Sequence, residues 1–570
     1  MRFCLLVTLL GLMIPPLSAQ AELSEYRLPP VTFTGEASFE VLRRETFLPS
    51  VQIPLDTAPG ALLDSMGRYS LFPPQNYGYP AGASGLSLGG RSIEDTQVTT
   101  LGVPLNLPQG GGPDLSTFPG FLWSEALIGS STGSAGFSPS AASGSIELVP
   151  WTRSRLTEGS GPDSRFTSSA DRQLQTLSIG TRKDTIAMLA GVSTGMLRGP
   201  SGSLSYEFLR TSGHRSRFHI LGSDLEGDVP GGSIKRSRRI LPVLETRTLL
   251  GQDTALASTA FADLTDLYGN RSEQFGIENS LTSGPWLLSF SARHVHFRNE
   301  GEYRESPLHA GVSREFGQRG KMRIRAGVDA VRVEDTGIEP GGRVSIRWNT
   351  KGPLTPVLEV SSVPKMPTLS ARRYVLDTGT YRYRGNPGLL PERVWSGVLA
   401  VDQVGSNFQS RWTLKSEYRT DAQINTSGQT VNTTVNAGSA MLFSAQADAR
   451  FILSPAWTLR SGALLSWSRL DATGLAYPDL PPFGWNGGVE IGLGDEFKLE
   501  TDARYLGDST AFDGSAHPAY LLVDQQVRWF PSPDLEIRAG VINLFDERAQ
   551  MVVGFPLPGR LLRASVSAGF

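Results

Sequence analysis

Cysteine is all but missing. The single example, Cys4, lies in the first stretch of the chain. Residues 1–21 read as a secretory leader: Arg2 is the positive start, Phe3–Ile14 the apolar core, and Ala19-Gln20-Ala21 a small-x-small cleavage site. The mature chain is then expected to hold no thiol, disulfide or cysteine metal site. A lipoprotein signal is excluded, because its cysteine must follow the apolar core. A basic excess is missing too. With 53 Lys+Arg against 55 Asp+Glu, a net charge of -2 argues against a nucleic-acid binder. No apolar run of about 18 residues follows the leader, so no transmembrane helix is expected. Barrel strands escape that test, since they hide their apolar face behind every second residue. Walker loops, nucleophile elbows and zinc-protease motifs are absent, and the chain is not expected to be an enzyme.

What is present is alternation. From residue 151 to the end, segments of about ten residues switch between apolar and polar. Met322, Ile324, Ala326 and Val328 alternate with Arg323, Arg325, Gly327 and Asp329. Phe443, Ala445, Ala447 and Ala449 alternate with Ser444, Gln446, Asp448 and Arg450. Period two puts these sets on opposite faces of a strand. The pattern runs too long for one open sandwich. Trp286, Trp412, Trp457, Trp467 and Trp529 fall near segment ends, as the interfacial girdles of a membrane barrel require. Residues 151–570 therefore read as a barrel of many antiparallel strands, greasy outside and wet inside. Closure removes the unpaired edges that lipid does not tolerate.

The stretch from Ala83 to Pro150 has another texture. Short apolar runs (Leu86–Leu88, Val98–Leu105, Ala126–Ile128, Ser145–Val149) alternate with Gly, Ser, Pro and Asn turns. Three ordered blocks stand out: Leu101-Gly102-Val103-Pro104-Leu105-Asn106, Asp114-Leu115-Ser116-Thr117-Phe118-Pro119 and Ser143-Gly144-Ser145-Ile146-Glu147-Leu148. Their order and spacing resemble the plug domain of TonB-dependent outer-membrane receptors. Tyr383–Glu392, Asn543-Leu544-Phe545-Asp546, Gly554–Arg560 and the terminal Phe570 resemble further blocks of that family. The resemblance implies an all-β membrane protein: a 22-stranded antiparallel transmembrane β-barrel over residues 151–570, with a small α+β plug domain, residues 51–150, in its lumen. Residues 22–50 would be a periplasmic arm, and the location the outer membrane of a Gram-negative bacterium. One departure concerns how the plug is held. Family arginines that pair with barrel carboxylates fall on Gly89 and Ile128, and the usual Asp falls on Leu101.

The arm contains Leu28-Pro29-Pro30-Val31-Thr32-Phe33-Thr34-Gly35, an alternating segment suited to edge-strand addition to a partner sheet. It resembles a TonB box, which implies a TonB-type energy-transducing partner. Tyr77 and Tyr79 in the tract Leu71–Pro80, with Asn106 and Gln109, are candidate ligand contacts at the plug apex; the alternative for the two tyrosine rings is packing against the barrel wall. Ala58–Met66 is expected to form one or two helical turns. Asp224, Glu226 and Asp228 read as an acidic loop, a candidate for structural calcium, although the full calcium-loop pattern is absent. No other cofactor is expected. The basic run Lys235–Arg239 is a candidate for lipopolysaccharide or another anion. His294 and His296 continue the lipid-facing register of Trp286, Leu288 and Phe290 and are expected at the interface. Phe570 is the expected signal to the outer-membrane assembly machinery. Together these imply a monomeric importer of a small-molecule chelate such as siderophore–iron or cobalamin. The competing expectation is a passive, structural or adhesive barrel whose plug is immobile.

Overall fold

The computed structural model describes residues 51–54, 74–76, 84–86, 93–107, 111–129, 144–153 and 163–569, the last range with short breaks of which 229–233 is the longest. Twenty-two antiparallel staves close into a barrel. The last strand, Leu561–Gly569, pairs with the first, Asp163–Asp171, and so seals the sheet. One stave comes in two pieces. Glu302–Glu305 and Leu308–Phe316 both pair with Trp286–Arg298, interrupted at Pro307, which has no N–H to give the ladder.

Successive hairpins alternate between two rims. One rim has short turns throughout, such as Gly284-Pro285, where Gly284 takes φ +52°. The other rim is lopsided. Its first six hairpins have short turns, while residues 366–391, 421–439, 471–482, 507–519 and 543–560 form longer connections. Two of these loops are bolted together inside the Tyr383–Glu392 block. Asn386 donates to Thr434 O at 3.2 Å, and Leu390 N donates to Asn436 Oδ1 at 2.9 Å.

The alternation read in the sequence sorts by face. Met322 and Val328 are exposed on the outer wall, where the apolar set meets lipid. Inside, Glu315 pairs with Arg323 at 2.6 Å and Arg325 at 3.0 Å. Arg411 meets Asp402 at 2.6 Å, and Arg460 meets Asp502 at 2.9 Å. Trp286, Trp412, Trp457 and Trp529 are exposed beside the short-turn rim, where Phe497 stacks on Trp529 at 5.9 Å. At the loop rim, Trp395, Tyr418, Phe443, Trp467 and Phe483 line the second half of the wall.

The plug sheet runs Val51–Pro54, Trp123–Gly129, Gly144–Pro150, Thr96–Thr100, Val103–Pro104. Thr96–Thr100 and Gly144–Pro150 are parallel, and the other neighbours are antiparallel. Asp114 starts the next turn by accepting from Ser116 N at 3.0 Å. Leu101 and Gly102 form the hairpin tip with φ +52° and +82°. A left-handed Leu costs about 1–2 kcal/mol. Leu101 is only 5 % exposed, and its burial, worth about 1.5–3 kcal/mol, offsets that strain. This is why a leucine is tolerated where the resembling family has an aspartate.

The plug core is continuous with one sector of the wall. Phe121, Leu122, Trp123, Ile128 and Ile146 join Leu189, Leu221, Leu241, Val243 and Phe261 of the barrel in a single apolar cluster. Gly191 allows the closest approach: a Cβ there would enter the Phe121 ring.

Candidate functional site

Opposite that apolar seam, the plug is held by charge. Asp95 ends the short 3-10 turn Ile93–Asp95 and leads into Thr96–Thr100. Its carboxylate is fully buried. Lys365 Nζ lies 2.6 Å from Oδ1, and Arg419 Nη1 lies 2.9 Å from Oδ2. Arg419 also meets Glu392 at 3.0 Å and Glu417 at 2.8 Å, and Lys415 meets Glu417 at 2.7 Å. Glu392 accepts from Gln423 N at 2.9 Å. Three carboxylates thus face three cations, none more than 8 % exposed. Balance is what makes the burial tolerable, because an unpaired charge in such a place is prohibitive. Burial alone would raise the Asp95 carboxyl. Arg419 and Lys365 outweigh it and hold that carboxyl well below the usual carboxylate range.

A loop closes over this latch. Tyr477 lays its ring 5.3 Å from the Arg419 guanidinium. It packs with Leu470, Leu480, Ala422 and Ala440, which keeps water from the ion pairs.

The polarity is the reverse of what the resemblance implied. The plug supplies an acid and the wall supplies the bases. Glu392 and Glu417, the barrel carboxylates, are met by the barrel's own Arg419, Lys415 and Lys365. Ile128 sits in the plug core at 2 % exposure and pairs with Val51 and Ile146. Gly89 lies outside the described residues.

Beside the latch is a cavity of about 120 Å³ between plug and wall, at the loop-rim ends of the strands. Its polar lining includes Lys365, Glu94, Glu305, Gln274, Arg293 and His309 as well as Asn106, and its apolar lining includes Val331, Val333 and Met366. The short helix Leu369–Arg373 roofs it, tied to the wall by Arg372 to Glu305 at 2.5 Å. Burial pushes the Glu94 carboxyl above its ordinary value, against the pull of Lys365. Gln274 is 5 % exposed, and its Nε2 has no partner among the described residues. The lining offers donors and an apolar wall, which suits recognition of a polar group on an apolar body.

A third cation, Arg239, reaches the plug from the seam side. Arg239, 1 % exposed, pairs with Asp263 at 2.6 Å and donates to Leu105 O at 3.2 Å and Thr117 Oγ1 at 3.3 Å. Its guanidinium lies 5.2 Å from the Phe118 ring. Ser223 adds a bond to Thr117 O at 2.5 Å.

The residues expected from sequence have mixed fates. Leu28–Gly35, Tyr77, Tyr79, Gln109, Phe570, the leader and Ala58–Met66 lie outside the described residues. Asn106 lines the cavity, but its amide is spent on the plug itself. Oδ1 accepts from Val98 N at 2.8 Å, and Nδ2 donates to Thr96 O at 2.9 Å and Gly111 O at 2.8 Å. The acidic loop is not a loop. Asp224, Glu226 and Asp228 belong to the strand His214–Asp228. Asp224 pairs with Arg236 at 2.7 Å and Arg238 at 3.0 Å, and Glu226 pairs with Arg198 at 3.1 Å. Arginines satisfy Asp224 and Glu226, and no group of three or more metal-ligand side chains occurs among the described residues. The basic run is the facing strand, and only Arg236 and Arg238 of its arginines point outward. His294 is exposed as expected. His296 is buried instead, 2.6 Å from Glu302 and 3.7 Å from Glu273.

Sequence reasoning missed Asp95, Lys365 and Arg419. One signal was available: Glu392 closes the Tyr383–Glu392 block singled out in the sequence.

Neither a family model nor a curated protein sequence matches this chain. Solved structures do. A variant of the ferric enterobactin receptor from Pseudomonas aeruginosa superposes with a TM-score of 0.76 at 12% identity, covering 92% of this chain and 98% of that one. The copper transporter OprC gives 0.77 at 12% identity, covering 91% and 100%. The siderophore receptor PirA from Acinetobacter baumannii gives 0.74 at 12% identity, covering 92% and 98%. At this identity the likeness is one of fold: a plugged 22-stranded barrel, as in TonB-dependent receptors.

Proposed function

We propose that this chain is a TonB-dependent receptor of a Gram-negative outer membrane, importing a scarce, bulky chelate such as a siderophore–iron complex or cobalamin. The observation that carries this reading is a plug fastened in a closed barrel by a compact ionic latch, with a polar cavity against it on the loop-rim side. Short turns face the periplasm and longer loops face outward. Ligand enters from the loops and meets the cavity beside Lys365. Segment Leu28–Gly35 adds as a strand to a TonB-type protein, and the inner membrane supplies the work. No catalytic step is involved.

Deleting Leu28–Gly35 tests the reading. Surface binding of the ligand is expected to persist while uptake is lost; unchanged uptake removes the mechanism. Growth on single iron or corrinoid sources, in a strain lacking the gene, identifies the ligand. The second reading, a structural or passive barrel with a fixed plug, draws on the apolar seam. A steady open conductance of the intact protein in a planar bilayer favours that reading over active import.

A further inference from the structure

The outer wall changes character around its loop rim. The second half carries the aromatic girdle of Trp395, Tyr418, Phe443, Trp467 and Phe483. The first half carries charge at the same level. Across six neighbouring strands, Asp224 faces Arg238, Arg238 faces Asp266, Asp266 faces Arg271, Arg271 faces Arg298, and Arg298 faces Glu302. Residues opposite one another share a face. That face is the lipid side, because Arg236 and Arg238 continue the register of the exposed Ile240 and Leu244, while Ser237 and Arg239 point inward and are buried. Arg238 stands two residues beyond Ile240, about 7 Å, where the apolar belt gives way to headgroups.

At one end of this row the cations exceed the acids. Arg271 and Arg298 stand directly opposite each other. Arg271 takes Glu273 at 2.8 Å, and Arg304 takes Glu302 at 2.9 Å. Arg298 is left 3.9 Å from that same Glu302 and donates to His296 Nε2 at 3.3 Å. Three guanidiniums, with side chains 60%, 54% and 65% exposed, share two carboxylates that also meet His296. Like charges facing each other across a sheet repel unless an anion lies between them. On the same faces, just toward the membrane, stand the exposed Leu264, Phe275 and Ile277.

We infer that Arg271, Arg298 and Arg304 form a docking site for the phosphate of a lipid headgroup in the loop-side leaflet. The planar forks of arginine match phosphate oxygens in pairs. The apolar side chains below take the acyl chains, which is why the occupant is a lipid and not a free anion. The site tethers one flank of the barrel to phosphorylated lipid, while the aromatic flank stays a general interface. It does not depend on the transport reading.

Native mass spectrometry of the full-length protein tests this, with phosphatidic acid as probe, diacylglycerol as the phosphate-free control and inorganic phosphate as competitor. The parent is expected to retain phosphatidic acid and not diacylglycerol. The R271Q/R298Q/R304Q variant is expected to lose about tenfold in retention. The R271K/R298K/R304K variant should keep part of it, because charge remains while the forks are lost. If the triple glutamine variant does not fold, R298Q alone, which removes the guanidinium farthest from a carboxylate, is expected to lower retention about threefold. Equal retention in parent and glutamine variants overturns the inference. So does equal retention of diacylglycerol, or inorganic phosphate displacing the lipid at equal concentration, which marks a free-anion site.

Discussion

The plug is fastened to its wall in two unlike ways. On the seam side, Phe121, Trp123 and Ile146 merge with Leu189, Leu241 and Phe261 of the barrel, and Arg239 spends its charge inside the wall on Asp263. On the latch side, one plug carboxylate, Asp95, is caught between Lys365 and Arg419. Apolar burial is non-directional and indifferent to competing ions. A charge pair is directional, and it fails when a partner is neutralised or captured elsewhere. The seam is therefore the natural pivot and the latch the natural release point. The cavity lies against the latch and shares Lys365 with it, so a polar group bound there would sit beside the directional contact.

Mutations can break this contrast. The largest effect is expected at the seam: Phe121→Ala should cost about 3–5 kcal/mol of plug stability. Hydrogen exchange followed by mass spectrometry should then show lost protection across both Thr96–Thr100 and Trp123–Gly129, at any salt concentration. Asp95→Asn comes next. It leaves buried cations short of one partner and should cost about 3 kcal/mol. Its exchange signature should be confined to Ile93–Thr100, with Trp123–Gly129 still protected. Equal loss in both strands would mean that seam and latch open as one unit.

Acid sharpens the same point. The folded Asp95 carboxyl is depressed, so its contribution is complete above the ordinary aspartate pKa, ~3.9, and is lost only as pH falls below it. Glu94, raised by burial, works in the opposite sense. The readout is thus the difference between parent and Asp95→Asn in calorimetric unfolding. That difference should be constant from neutral pH down to the aspartate range and shrink below it. The smallest effect is expected for Tyr477→Leu, about 1 kcal/mol, from loss of the ring over Arg419. Faster exchange limited to Ile93–Thr100 would link the 471–482 loop to the latch.

Some of this was legible in the chain. The period-two alternation of Met322–Val328 and Phe443–Ala449 gave the two faces directly, because a strand has only two. The Asp114–Pro119 block appears as an Asp-capped turn. Charge positions were harder. Asp224, Glu226 and Asp228 look like a loop because acids and glycine are poor strand formers. The strand runs through them because Arg198, Arg236 and Arg238 lie opposite and supply the counter-charge. His296 shows the same failure: its register was right, but Glu302 and Glu273 cover it.

By itself the sequence determined the wall: which side chains meet lipid, which meet water, and where the turns fall. Those choices are made within a few residues by backbone geometry. Only the tertiary structure decided how the plug is held. Asp95, Lys365 and Arg419 lie on separate, ordinary-looking stretches, and closing the barrel around the plug brings them together. A buried charge has meaning only through its partner, and the partner is chosen in space.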